Sequence, residues 1–160
     1  MTEDLVRAQG YMMLGSRLRR IGERLQADVQ RLAKTEGIAV PSALFPTLAA
    51  LDRYGAMTVN GLADALGVAQ PGVTRNVALL AKLGLVTSST PKDDQRVRSV
   101  SLSRKGAALV ARVQRDLWRR VDRAVAELCD PLEGNLLAQL DGLEAALDIS
   151  PLDERARGPA

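Results

Sequence analysis

Between positions 70 and 105 the chain concentrates the side chains best able to act on another molecule. Arg75, Lys82, Lys92, Arg96, Arg98, Arg104 and Lys105 stand there against only Asp93 and Asp94, a local balance of +5 in a chain whose formal charge is +3. Cations at that density suit a polyanion. Other chemistries are poorly supplied. The absence of histidine removes imidazole bases, histidine triads and histidine-ligated metals. Asp93 and Asp94 could be imagined as an acid–base or metal pair, but adjacent carboxylates in a charged turn are more often solvated charges. Cys129 is the single cysteine, so no intramolecular disulfide can form, in keeping with a reducing compartment. It ends an apolar stripe, with Glu127 and Asp130 close by, and reads as structural rather than redox-active. Neither catalysis nor a cofactor nor a metal is expected.

These cations need elements to aim them. In AQPGVTRNVALLAKLGLV, Pro71 suits a first helical turn, and Val73, Val77 and Leu80 recur at spacings of four and three. With that stripe turned inward, Arg75, Ala78 and Lys82 point outward, flanked by Gly72, Thr74 and Leu79. The preceding TVNGLADALG offers Thr58 as an N-cap, Leu62 and Leu66 four apart, and Gly67 as a left-handed stop. Two such helices joined by Gly-Val-Ala make a helix-turn-helix. Beyond Lys82, Gly84 ends the helix, Leu-Val begins a strand, TPKDDQR forms a charged tip, and VRSVSLS alternates as a return strand. The product is a hairpin wing.

The chain at this point resembles the MarR-type winged-helix transcriptional regulators. The resemblance rests on TVNGLADALGVAQPGVTRNVALLAKLGLV, on Asp94-Gln95-Arg96 matching the family's Asp-x-Arg wing motif, and on VSLSRKG, where a strand runs into the next helix. Ala69 departs from a common capping Ser, Gly72 from a common Thr, and Asn76 from a usual apolar residue. The resemblance implies that Asp94 orients Arg96 by an ion pair, so that the guanidinium enters a minor groove in a fixed pose. It implies a DNA surface of Gln70, Gly72, Thr74, Arg75 and Asn76 on the recognition helix. Arg75 would reach a guanine edge or a phosphate, and Gly72 would allow only close backbone approach. Lys82 would touch phosphate, Thr58 and Asn60 would offer backbone donors to phosphate, and Lys92, Asp94, Arg96 and Arg98 would form the wing's part.

The rest of the chain reads as scaffolding for that surface. Composition is 46% hydrophobic but only 2% aromatic, which favours a helical core of Leu, Val and Ala. The fold class expected is mainly α with a small β-hairpin wing. Residues 4–34 read as one long helix striped by Leu14, Leu18, Ile21, Leu25 and Leu32. Gly10, Gly15 and Gly22 would weaken it by roughly 1 kcal/mol each relative to Ala, so packing must hold it, at close helix crossings for example. A helix is expected to open at Pro41-Ser42 or at Pro46, with Leu48, Leu51 and Tyr54 facing inward. From Ser103, an N-cap, a second long helix should run to about Cys129, roughly 39 Å at 1.5 Å per residue. Its stripe is Leu109 or Val110, Val113, Leu117, Val121, Val125 and Leu128. Leu136, Leu140, Leu143 and Leu147 mark a last helix ending near Pro151, and the tail DERARGPA reads as frayed. Charge is uneven: residues 1–123 hold twenty Lys or Arg and eleven Asp or Glu, whereas 124–160 hold two and eight. The acidic end belongs away from phosphates.

Residues 41–103 are thus expected to form the winged helix-turn-helix domain, and 1–40 with 104–160 a helical dimerisation region. No apolar run spans a membrane and the N-terminus lacks a signal-peptide pattern, so a cytoplasmic protein is expected. Tyr11, Met12, Phe45 and Trp118 are candidates for a small-molecule effector pocket, although plain core packing is the better account of any single one. The expected partners are double-stranded DNA, a second copy of the chain and an effector. The resulting reading is a ligand-responsive repressor binding a pseudo-palindromic operator as a homodimer. The alternative is a winged-helix module that serves architecture or protein contacts without sensing anything.

Overall fold

Proline sets where the first core helix begins. Ser42–Leu44 form a 3-10 turn, and α3 (Phe45–Tyr54) follows with Pro46 in its first turn, where a missing amide hydrogen costs no helical bond. Leu48 and Leu51 are buried. Tyr54, expected to face inward, is instead 59% exposed, with the Arg53 guanidinium 5.6 Å from its ring centroid. The helix ends at Tyr54, and its last turn stands at the surface beside a cation rather than in the core.

The computed structural model describes residues 3–89 and 99–157. The chain divides into two compact units, Met1–Arg119 and Arg120–Ala160. The first begins with a short helix, α1 (Leu5–Ala8), a 3-10 turn at Gly10–Met13, and α2 (Leu14–Thr35). The uninterrupted helix expected over 4–34 is therefore broken. Gly10 takes a φ of 55°, outside the helical region, and ends the first turn. A Cβ at Gly10, Gly15 or Gly22 would have no described atom of its own unit within 4 Å, so these glycines mark no close helix crossing among the described residues of that unit. Along α2, Leu18 and Ile21 remain 39% and 44% exposed, Leu14, Leu25 and Leu32 are half-buried and only Ala33 is buried, which leaves the expected stripe partly uncovered. Asp4 caps α1 through Arg7 N and accepts a 3.0 Å bond from Arg20 on α2. That bond holds its carboxyl below the usual carboxylate range. The contact is present above the usual range and is lost as pH falls through the lowered value.

The core of this unit is made by α3, α4 (Val59–Leu66), α5 (Gln70–Lys82) and α6 (Arg104–Val113), with a three-stranded antiparallel sheet. Leu62, Val73, Leu80, Val100, Val110, Val113 and Leu117 are essentially inaccessible. The sheet has the order β1–β3–β2, with β1 at Met57–Thr58, β2 at Val86–Ser89 and β3 at Ser99–Leu102. Val86 pairs with Leu102 and Ser89 with Ser99, the hairpin expected from the sequence; β1, pairing Met57 with Val100 and Thr58 with Ser99, was not expected. Two residues are too few to show alternation.

Beyond α6 the backbone is not uniformly α-helical. Gln114–Trp118 form a π turn before α7 (Arg119–Cys129), which corrects the single regular helix expected from Ser103 to Cys129. Val113 and Leu117, four apart and both buried, suit the wider turn, in which four residues complete less than one revolution. Gln114 Nε2 within it donates to Asp52 Oδ2 on α3 at 2.8 Å.

In the second unit, α8 (Leu136–Ile149) is capped by Asn135, whose Oδ1 accepts from Ala138 N at 3.1 Å. Leu143 and Leu147 stay partly exposed. The tail expected to fray instead forms α9 (Leu152–Arg157). Arg155 donates to the Ser150 carbonyl at 2.7 Å and Arg157 pairs with Asp153 at 2.9 Å, contacts that satisfy the end of α8 and support a short helix. No helix among the described residues is long and apolar enough to cross a membrane.

Among the described residues Thr47 is the one polar side chain in the core, fully buried, and its hydroxyl has no hydrogen-bond partner there. An unmade buried bond costs about 1–3 kcal/mol, whereas an apolar isostere removes the need for it. Thr47→Val should therefore leave stability unchanged or raise it by about 1 kcal/mol, read as the midpoint of urea unfolding.

Candidate nucleic-acid interface

Thr58 starts the helix pair. It belongs to β1, and its ψ of 162° lets Oγ1 accept from Gly61 N at 3.0 Å, so one residue ends a strand and caps α4. Gly67 follows α4 in the left-handed conformation, as expected. Asn60 is exposed on the first turn. The backbone donors left at this end of α4 are the groups that would meet a phosphate.

The next helix, α5, begins at Gln70 with Pro71 in its first turn. Its N-cap is Ala69, which has no side chain able to bond the helix amides. Val73 and Leu80 are buried, Val77 is half-buried, and Gln70, Thr74, Arg75, Ala78 and Lys82 are exposed. The apolar and polar faces therefore fall where spacing placed them. Thr74 Oγ1 donates to the Gln70 carbonyl at 3.1 Å, which commits its proton and leaves its lone pairs outward. Gly72 and Asn76 are half-buried, so each offers less to a ligand than the fully exposed positions. Arg75 and Lys82 make no hydrogen bond or ion pair to any described residue. Their charges are available to an external anion.

The far end of α5 shows what sequence reasoning missed. Leu83 caps the helix and Gly84 follows with a φ of 70°, a conformation that glycine reaches without a Cβ penalty. Gly84 N then bonds the Ala81 carbonyl and Leu85 N the Leu80 carbonyl, both at 2.9 Å, closing a Schellman motif. The carbonyls of Leu83, Gly84 and Leu85 are taken by the start of α6. Lys105 Nζ donates to Leu83 O at 2.8 Å, Ser103 Oγ to Gly84 O at 2.7 Å, and Ser103 N to Leu85 O at 2.9 Å. Ser103 Oγ also accepts from Gly106 N at 3.0 Å, the N-cap bond expected of it. A Cβ on Gly106 would lie 2.0 Å from the Leu85 carbonyl oxygen, so only glycine lets α6 come this close. The pattern Ser-x-Lys-Gly following a strand was the available signal.

Lys92, Asp94, Arg96 and Arg98 lie outside the described residues, as does the expected Asp94–Arg96 ion pair. Of the effector candidates, Phe45 is buried and meets the half-buried Trp118 edge to face, with centroids 6.4 Å apart at 70°. Tyr11 and Met12 are 94% and 71% exposed on their 3-10 turn. The structure brings the first two together and leaves the other two at the surface. Cys129 is half-buried and lines an open pocket with Asp122, Asp130, Asn135 and Leu136 in the second unit.

Two capped helices, an outward basic face and a hairpin packed behind them define a winged helix-turn-helix protein. Residues 40–96 match the MarR family model. Solved structures share the fold. A cysteine-to-serine mutant of MarR from E. coli complexed with operator DNA superposes with a TM-score of 0.70 at 20% identity, over 91% of this chain and 99% of that one. BpsR of Bordetella bronchiseptica, described with a mechanism for regulation of its DNA binding by 6-hydroxynicotinic acid, gives 0.63 at 22% identity, covering 85% and 91%. A probable transcriptional regulator from Pseudomonas aeruginosa gives 0.64 at 27% identity, covering 83% and 95%.

The two caps and the glycine contact make opposite predictions for stability. Ala69→Ser adds a side-chain acceptor beside the Gly72 amide, which already donates to the Ala69 carbonyl at 3.0 Å, and should stabilise the protein by no more than ~1 kcal/mol, whereas Thr58→Ala should cost about 1 kcal/mol. Gly106→Ala drives a methyl into backbone and should cost about 1–3 kcal/mol or more. Chemical unfolding of the three variants beside the parent checks all three signs.

Proposed function

We propose that this chain is a sequence-specific double-stranded DNA-binding transcriptional regulator, a ligand-responsive repressor that binds a pseudo-palindromic operator as a homodimer. The observation that carries the reading is the outer face of α5, where Arg75 and Lys82 are exposed and have no partner among the described residues, on a helix anchored at its far end. A helix so presented fits the major groove, where an arginine reads the O6 and N7 acceptors of guanine bidentately. Gln70 and Thr74 on the same face are the further base-contact candidates, Gly72 permits close approach, and Asn76 sits at its margin. Thr58 and Asn60 would face phosphate with Lys82. Lys92, Arg96 and Arg98, with Asp94 orienting Arg96, would supply a wing contact to the minor groove.

Dimerisation is supported by the apolar side chains left uncovered on α2 and α8, among them Leu18, Ile21, Leu143 and Leu147. We assign residues 1–40 and 104–160 to that role and 41–103 to DNA. A twofold dimer would set its recognition helices about 34 Å apart, in successive major grooves. The complex of MarR with operator DNA and the regulation of BpsR by 6-hydroxynicotinic acid support the DNA and effector parts of the reading. Phe45 and Trp118 are the effector-contact candidates that already meet; Tyr11 and Met12 would join them only through a second copy or a ligand. No catalytic role and no membrane partner are assigned, and a cytoplasmic location follows from the DNA target.

Arg75→Ala should weaken binding to the DNA upstream of the chain's own gene by about 1–3 kcal/mol and relax preference at one base pair per half-site. Fluorescence anisotropy against that duplex and a scrambled one checks this; equal binding of both by the parent protein would overturn sequence-specific recognition. Sedimentation of the full chain at micromolar concentration should show one species of about twice 17.2 kDa. A stable monomer would overturn the two-half-site arrangement.

A further inference from the structure

Lys105 belongs to the run of cations that marks the chain as a polyanion binder, yet its geometry sets it apart from Arg75 and Lys82. Its ammonium donates a 2.8 Å bond to the Leu83 carbonyl, twenty-two residues back and at the C-cap of α5. The last carbonyls of a helix carry its negative pole, and a cation placed there both satisfies an acceptor and opposes the dipole. Ser103 holds the two following carbonyls, of Gly84 and Leu85, and Gly106 lets the helices approach near enough for all three contacts. Leu83 O is the only one of the three carbonyls held by a charged group.

We propose that Lys105 is a positioning residue for DNA recognition: its charge is spent on the end of α5, fixing the angle at which that helix is presented, rather than on a phosphate. The proposal rests on the DNA-binding reading above. Neutralising Lys105 then lowers affinity for a specific site more than for random DNA, because the loss falls on how well α5 is aimed. It also leaves the number of released counterions unchanged. A lysine bound to phosphate behaves oppositely, weakening all sequences alike and reducing the slope of log affinity against log salt by about 0.9 for each contact.

The test measures binding of the full-length protein to the duplex upstream of its own gene and to a scrambled duplex, across a salt series, for the parent, Lys105→Met, Lys105→Arg and Lys82→Met. Expected for Lys105→Met is a two- to fivefold loss on the specific duplex for each recognition helix engaged, the range of an exposed helix-terminus charge (about 0.3–1 kcal/mol). The salt slope should be unaltered, and amide exchange at Gly84 and Leu85 should be faster. Lys105→Arg, which keeps charge and donors, should restore affinity and slow exchange. Lys82→Met should reduce the slope and leave exchange at Gly84 unchanged, the signature of a phosphate contact for comparison. A reduced slope in Lys105→Met, or unchanged affinity and exchange, overturns the proposal while the DNA-binding reading stands. If the parent protein binds neither duplex, it is that reading which fails. A Lys105→Met protein that unfolds also overturns the proposal when Lys105→Arg unfolds with it, since the position then supports the fold and not the aim of one helix.

Discussion

Everything at the helix-turn-helix end of the first unit depends on how closely the first turn of α6 approaches the last turn of α5. A helix end leaves carbonyls without partners, and water satisfies them only if they stay exposed. Here three successive carbonyls, of Leu83, Gly84 and Leu85, are taken by Lys105 and Ser103, and the missing side chain of Gly106 makes the distance possible. The same contact fixes where β2 leaves α5 and where β3 enters α6, because Leu85 precedes the one and Ser103 follows the other. Helix, sheet and helix are thus joined through a few atoms, and burial of Leu80, Leu85 and Val110 follows from that join.

Much of this was legible in the residues. Caps announce themselves locally: Thr58, Gly67, Gly84 and Ser103 all do what their types and positions suggested, since a cap is a bond between residues three or four apart. Apolar spacing gave the inward face of α5 for the same reason. What could not be read were contacts between distant segments. Nothing in Met57-Thr58 marks a strand, because two residues cannot show alternation, and the pairing exists only once Ser99 and Val100 lie alongside. The bond from Lys105 to Leu83 crosses twenty-two residues, and sequence alone grouped that lysine with its fellow cations.

The misplaced elements have physical reasons of the same kind. Spacing made residues 4–34 a continuous helix, but a single dihedral at Gly10 interrupts it, and no periodicity analysis weighs one residue against thirty. Tyr54 sits on the apolar stripe of α3 yet past the point where neighbours cover it, so ring and guanidinium meet at the surface. The π turn at Gln114–Trp118 was hidden in the sequence because the interval of four between Val113 and Leu117 fits an α-helix and a wider turn about equally. On the outer face of α5, Arg75 and Lys82 are exposed while Gly72 and Asn76 are half-buried, a difference in exposure that residue type alone does not show.

The double duty of Thr58 bears on how the fold is acquired. Its pairing with Ser99 spans forty-one positions, and its hydroxyl cap on α4 requires the extended backbone that this pairing supports. Helices of eight and thirteen residues lie near or below the length at which isolated helices persist in water. The helix-turn-helix is therefore not an autonomous folding module. Its nucleation waits on the return of β3, a non-local closure of the kind that slows folding, and the helix pair should appear in one cooperative step with the sheet rather than ahead of it.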